Sequence, residues 1–147
     1  VVSTEEPFSE DMIATAVKLA SKRRRGIIMT VLVPVPVSMS LDCEMTAKET
    51  YAQSLIERVK LIAGTRVSGR VERVRPGQEG YFIARQAKAI KAAAIVVSLR
   101  FSNGTPMYTK SLETVLRERP CRVIVVSDGP DMDTDSTTIT ADEGAPA

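Results

Sequence analysis

The sequence of 147 residues contains no histidine and no tryptophan. Without histidine, the chain lacks the commonest general base, the usual partner of a nucleophilic serine or cysteine, and the usual zinc ligand. Only two cysteines are present, Cys43 and Cys121, which is too few for a disulfide framework and favours a reducing compartment. These absences argue against hydrolases and metalloenzymes, and we expect the chain not to be an enzyme.

Long apolar segments are also missing from the sequence. No run approaches the ~20 apolar residues that a membrane-spanning helix needs. The amino-terminal residues do not have the charged and apolar regions of a signal peptide. Together with the low cysteine content, these features predict a cytoplasmic location.

The net charge of +2 conceals an uneven distribution of acids and bases. Residues 128–147 contain six acids and no base, are poor in apolar residues, and are predicted to form a disordered acidic tail. The remaining residues, 1–127, then form one domain with a net charge of +8. Because its bases are scattered along predicted helices and aromatics are few, we expect solvated helix faces and no nucleic-acid partner.

Two continuous apolar runs, at 94–97 and 123–126, organise the chain. Such runs are typical of strands that are covered on both faces, as in parallel sheets. A polar loop over 100–110 and a helix over 111–119 are predicted between them, and Pro120 ends the helix. Ligands of parallel α/β sheets bind at the carboxyl ends of the strands, so functional residues are expected in the loop after Leu99.

Strands and helices are predicted to alternate along the rest of the domain. Ser9 is expected to cap the first helix and Gly26 to end it, while Thr46 and Glu49 have capping-box spacing at the second. Val1 and Val2 are typical of the end of a strand whose start precedes this numbering. The predicted fold is α/β, an open five-stranded parallel sheet with helices on both faces and a truncated first strand.

One segment, 104–111, nearly matches the phosphate-binding pattern G-x-x-x-x-G-K-[ST]. The second glycine is replaced by Thr109, and Pro106 removes one of the N–H groups that would bind phosphate. The preferred interpretation is a polar loop with a turn at Asn103 and Gly104.

Three segments carry a resemblance to a known family: 7–16, 33–42 and 112–126. Together they resemble universal stress proteins. More narrowly, they are similar to the universal-stress-protein-like domain at the cytoplasmic carboxyl terminus of some amino-acid permeases of the amino acid–polyamine–organocation class. The resemblance implies an adenine-nucleotide-hydrolase-like α/β fold. It also implies a non-enzymatic regulatory or interaction domain, held at the inner face of the membrane by the membrane portion of a transporter.

The resemblance also implies where a nucleotide would bind. Members that bind ATP have G-x-x-G, about nine further residues, and then G-[ST], because glycines let backbone N–H groups approach the phosphates. The matching positions here read S-L-R-F at 98–101 and T-K at 109–110, without a glycine. This departure predicts a degenerate site and no cofactor. The residual candidate contacts are Val33, Ser98, Arg100, Lys110 and Ser111. The alternative is a stand-alone stress-response protein that binds ATP, AMP or a cyclic nucleotide at this edge.

The last predicted strand, 122–127, is expected at an edge of the sheet. Its centre contains no charge, proline or glycine that would prevent pairing with another chain. The sequence therefore predicts a homodimer through this strand. The family resemblance implies antiparallel pairing about a two-fold axis.

Overall fold

The structure of the chain, a computed structural model, describes residues 2–3 and 9–127. The predicted acidic tail at 128–147 lies outside the described residues. Helices and strands alternate as predicted, apart from one extra strand, β5. Their bounds are β1 Val2–Ser3, α1 Glu10–Arg23, β2 Ile27–Pro34, α2 Thr46–Ala63, a 3-10 turn at Gly64–Arg66, β3 Val67–Val74, α3 Glu79–Ala89, β4 Ala94–Ser102, β5 Thr105–Met107, α4 Lys110–Glu118 and β6 Arg122–Ser127.

The strands of the described residues form two sheets of three, in the orders β1-β2-β3 and β5-β4-β6. All pairs are parallel except that of β4 with β5, which is antiparallel. The α/β class is confirmed, but the single five-stranded parallel sheet is not. The reason is that the described part of β1 is two residues long and pairs with β2 alone, so no ladder over the described residues links the β1-β2-β3 sheet to β4.

Each face of the strands buries its own core. On one face, α1 and α2 pack against Met29, Val31 and Val33 of β2. On the other face, α3 and α4 pack against β4, whose buried residues are Ile95, Val97 and Leu99. Helices on both faces of β4 explain why its apolar run is continuous rather than alternating, whereas the residues of β6, predicted as a buried strand, are half-buried or exposed in the single chain because β6 lies at an edge.

The helix ends differ from the sequence predictions in two places. Ser9 caps α1 as predicted, since its Oγ accepts from the N–H of Met12 at 3.3 Å. The left-handed residue that ends α1 is Arg24, with φ of 52°, and not Gly26. At α2 the predicted capping box is wrong: Met45 occupies the N-cap position without a side-chain bond. Glu49 instead pairs with Arg73 of β3.

Candidate functional site

The segment after β4 folds into a tight antiparallel hairpin rather than an open loop. Arg100 pairs with Met107, Phe101 with Pro106, and Ser102 with Thr105. Asn103 and Gly104 form the turn with φ of 50° and 74°, the left-handed pair that a two-residue type I′ hairpin requires. The backbone at the carboxyl end of β4 is therefore committed to strand pairing, whereas a phosphate loop needs backbone N–H groups directed at the ligand.

The residue at the glycine position of the family's G-[ST] pair, Thr109, has a structural role. Thr109 is the N-cap of α4, and its Oγ1 accepts from the N–H of Leu112 at 3.2 Å. The next turn is closed by Thr114, whose hydroxyl donates to the carbonyl oxygen of Lys110 at 2.8 Å. The Thr109 hydroxyl thus satisfies a free helix N–H, which is the usual role of a threonine at this position.

The five candidate contacts lie in different environments. Val33 is fully buried in the core beneath α1 and α2. Ser98 is half-buried in β4, and Arg100 is exposed where β4 enters the hairpin. Lys110 is exposed at the first position of α4, and Ser111 is half-buried beside it. Three of the five therefore flank one hairpin: Arg100, Lys110 and Ser111. Val33 belongs to the other sheet. A role of the five residues in binding stays a prediction.

Two arginines at the end of β3 hold the loop over 36–45, and sequence reasoning missed them. Arg73 donates from Nη1 to the carbonyl oxygens of Leu41 and Cys43, at 2.7 and 2.5 Å. Its Nε and Nη2 lie 2.8 and 2.7 Å from Oε1 of Glu49. The guanidinium therefore ties the loop to both α2 and β3.

Arg75 fixes the first half of the same loop. Its Nη1 donates to the carbonyl oxygens of Pro36 and Met39, at 2.7 and 2.6 Å. Val35 extends β2 by one more bond, because its N–H donates to the carbonyl oxygen of Val74 at 2.8 Å. The loop that borders the carboxyl ends of β2 and β3 is thus held by hydrogen bonds from the guanidinium groups of Arg73 and Arg75 to its main-chain carbonyl oxygens.

Among the described residues, few features suit nucleophilic catalysis or the binding of a metal ion. Cys43 and Cys121 are free thiols, each half-buried. Burial raises the pKa of the Cys121 thiol, and the backbone hydrogen bond with Ile95 opposes this only in part. A raised pKa disfavours the thiolate, which is the reactive form. Over residues 2–3 and 9–127, the structure contains no group of three or more acidic or cysteine side chains suited to a metal ion.

No helix within the described ranges combines the length and the apolar character that crossing a bilayer requires.

Comparison with known proteins identifies the fold. Neither protein-family models nor curated proteins match the sequence. Among solved structures, a universal stress protein from Archaeoglobus fulgidus is similar with a TM-score of 0.64 at 16% identity, over 84% of this chain and 95% of that one. A protein of the universal stress protein family from Burkholderia pseudomallei gives a TM-score of 0.57 at 14% identity, over 85% of this chain and 93% of that one. The chain therefore has the fold of the universal stress proteins.

Proposed function

We propose that this chain is a non-enzymatic regulatory or interaction domain of the universal stress protein type, with a degenerate nucleotide site. The observation that carries the proposal is the hairpin of β4 and β5. It occupies the position at which ATP-binding members are expected to have a glycine-rich loop. The G-[ST] pair supports the same conclusion, because it reads Thr109-Lys110 with no hydroxyl at the second position, and the Thr109 hydroxyl accepts a helix N–H. Phe101, half-buried against the core, leaves less room for a phosphate than glycine would.

The domain is expected to gain no stability from nucleotides. We predict that millimolar Mg-ATP, AMP or cyclic AMP leaves the melting temperature unchanged. A ligand present at ~100 times its dissociation constant would add about 2.7 kcal/mol to the free energy of unfolding, so thermal denaturation in the presence of each nucleotide is a sensitive measurement. Pyrophosphate and sulfate serve as controls for unspecific anion effects.

The alternative function, nucleotide binding by a stand-alone stress protein, has one feature in its favour. Arg100 and Lys110 are exposed cations at the two ends of the hairpin and could meet an anionic ligand. A rise in melting temperature with one nucleotide, absent with pyrophosphate and abolished by Arg100→Gln and Lys110→Gln, would establish this alternative and refute the degenerate site.

We further propose that the domain forms a homodimer through β6. This strand has β4 as its neighbour on one edge, and no strand of the described residues pairs with its other edge. Val123, Ile124 and Val126 are half-buried, and Val125 is 39% exposed in the single chain. An uncharged apolar edge of this kind pairs readily with a second copy.

Sedimentation tests the dimer. The parent chain is expected at about twice the 16.0 kDa chain mass at micromolar concentration. Val125→Lys adds a charge at an exposed edge position and is expected to shift the protein to the monomer. Thr105→Lys is the matched control, because it adds the same charge to the exposed strand β5 at the opposite edge of that sheet. Equal effects of the two variants, or a monomeric parent, would contradict the proposal.

The proposed setting is the cytoplasmic carboxyl terminus of an amino-acid transporter. Its support is the resemblance to such domains that segments 7–16, 33–42 and 112–126 carry. An antibody raised against residues 9–127 tests it on fractionated cells. A membrane-bound band much larger than 16.0 kDa is expected, whereas a band of 16.0 kDa outside the membrane fraction would refute the transporter setting.

A further inference from the structure

The end of the sheets at which the strands begin, which we call the cationic end, is rich in bases. It consists of the last turn of each helix, the connection that follows, and the first residue of the next strand. These residues are 20–27, 60–67, 86–94 and 115–122. They contain eleven bases and one acid, Glu118. The first four residues of the same helices, at the opposite end, together contain five acids and two bases, so the charges are separated between the two ends.

The topology gathers bases that are far apart in the sequence. Each helix returns from the carboxyl end of one strand to the amino end of the next, so all four helices end on the same side of the sheets. One opening, between the first residues of β2 and β4, is surrounded by four of these bases: Arg23, Arg25, Lys91 and Arg122. Arg66 is adjacent, because its carbonyl oxygen is 3.4 Å from the place of a Cβ atom on Gly26. The bases at the four helix ends therefore form one surface.

The positive charge of this surface is not neutralised within the described part of the chain. Bases at the end of a helix stabilise it, but the helix dipole places only about half a negative charge there, so four helices account for about two of the bases. Among the residues that the structure describes, no acid forms an ion pair with the exposed side chains of six bases: Arg23, Arg25, Arg66, Lys91, Arg119 and Arg122. Exposed like charges at this density repel one another and attract an anionic partner.

Exposed aliphatic side chains lie among these bases. In the last turn of α2, Leu61 is 88% exposed and Ile62 is 54% exposed. At the end of α3, Ile90 is 41% exposed between Lys88 and Lys91. Bases alone are enough to hold a nucleic acid, whereas aliphatic side chains gain free energy only where they leave water. Cations combined with exposed aliphatic side chains are the composition that binds anionic bilayers.

We propose that the cationic end is a docking surface for an anionic lipid bilayer. Its arginines and lysines contact the headgroups, and Leu61 and Ile62 reach the boundary with the acyl chains. Single-stranded nucleic acid fits less well, because its bases stack on aromatic side chains. The exposed tyrosines lie away from this end, in the first half of α2, in the first turn of α3 and just before α4: Tyr51, Tyr81 and Tyr108. The surface is separate from the hairpin site and would bind lipid in a free chain, so the proposal does not depend on the transporter setting.

Flotation of the full chain with lipid vesicles tests the proposal. Binding is expected to vesicles of phosphatidylcholine with about 30% phosphatidylglycerol, and not to pure phosphatidylcholine. It is expected to weaken as the salt concentration rises, because salt screens exposed charges. A variant that combines Arg23→Gln, Arg25→Gln and Arg122→Gln is expected to bind about 100-fold more weakly, since each base near the headgroups contributes to affinity.

The matched control removes three exposed bases that lie away from the cationic end, in the middle of α1, β3 and α3. Its substitutions are Lys18→Gln, Arg70→Gln and Arg85→Gln. The affinity of this control is expected to change by less than about threefold, because its charges are farther from the bilayer and are screened.

A second pair of variants measures the aliphatic contribution. Leu61→Ser is expected to weaken binding about 10-fold at every salt concentration, because the leucine no longer leaves water on binding. Val37→Ser is the matched control, since Val37 is 80% exposed in the loop at the opposite end of the sheets, and it is expected to leave the affinity unchanged.

Four results would overturn the proposal. Equal binding to the two kinds of vesicle, or equal losses in the two triple variants, would mean that the cationic end does not recognise anionic lipid. Unchanged binding of Leu61→Ser would show a surface for polyanions in general. Tighter binding of duplex DNA than of vesicles at equal phosphate concentration would assign the surface to nucleic acid.

Discussion

Gly80→Val is expected to lower the free energy of unfolding by about 3 kcal/mol. Gly80 lies in the first turn of α3, where a Cβ atom would be 2.6 Å from Cβ of Thr114 and 2.7 Å from the carbonyl oxygen of Ser111. Neither atom is the free end of a flexible side chain, so α3 and α4 would have to separate. The helix propensity gained by removing glycine is about 1 kcal/mol at most, which is less than the cost of overpacking.

The same substitution is expected to disturb the candidate site. The contact with Gly80 fixes the first turn of α4, which contains Lys110 and Ser111 and begins at the Thr109 cap. Urea denaturation gives the change in stability, and nuclear magnetic resonance shifts at residues 109–111 report the displacement. Gly26→Ala is the matched control, because the nearest atom to its Cβ is the carbonyl oxygen of Arg66 at 3.4 Å. An unchanged denaturation midpoint for Gly80→Val would mean that α3 and α4 do not pack this closely.

The elements that sequence predicted well are those whose pattern is local. The continuous apolar runs of β4 and β6 identify a parallel pair of strands, although only β4 is buried, while β6 is half-buried or exposed at the edge. The cap at Ser9 follows from one side chain and an N–H three residues away. Such features depend on neighbours in the sequence, so they can be read without the tertiary structure.

The hairpin strand β5 was missed although a local signal was present. Asn103 and Gly104 form the strongest dipeptide signal for a two-residue hairpin. The proline at 106 and the polar composition of 100–110 favoured a loop instead. Proline is tolerated here because β5 is an edge strand and needs no N–H on its outer side. The sequence thus shows the departure from the phosphate motif, but it did not predict the backbone conformation that replaces it.

Features that join distant parts of the chain were beyond sequence reasoning. Glu49 has the spacing of a capping residue, yet its carboxylate pairs with Arg73, 24 residues away. The division into two sheets follows from the pairing of β1 with β2 alone over the described residues, a long-range contact that no residue pattern within the strands specifies. In both cases the deciding contact is with residues far away in the sequence, whereas helix and strand propensities describe only a residue and its near neighbours.

Arg73→Met is expected to lower the free energy of unfolding by about 2 kcal/mol and to expose the loop over 36–45 to proteases. Methionine keeps the aliphatic stem but leaves the carbonyl oxygens of Leu41 and Cys43 without their donor. The ion pair with Glu49 contributes less, about 1 kcal/mol or below, because the Glu49 side chain is 37% exposed. Limited proteolysis, with cleavage sites assigned by mass spectrometry, measures the release of the loop, and urea denaturation measures the stability.

Two further variants separate the geometry of Arg73 from its charge. Arg73→Lys keeps the charge but has one compact ammonium group in place of the planar fork, which reaches Glu49 and two carbonyl oxygens at once. It is therefore expected to lose nearly as much stability as Arg73→Met. Arg70→Met, at an exposed position of the same strand, controls for the loss of a positive charge and is expected to change the stability by less than about 0.5 kcal/mol. If Arg73→Lys instead retained the parent's stability and protease resistance, attraction to Glu49 would be sufficient to hold the loop, and the carbonyl contacts would contribute nothing measurable.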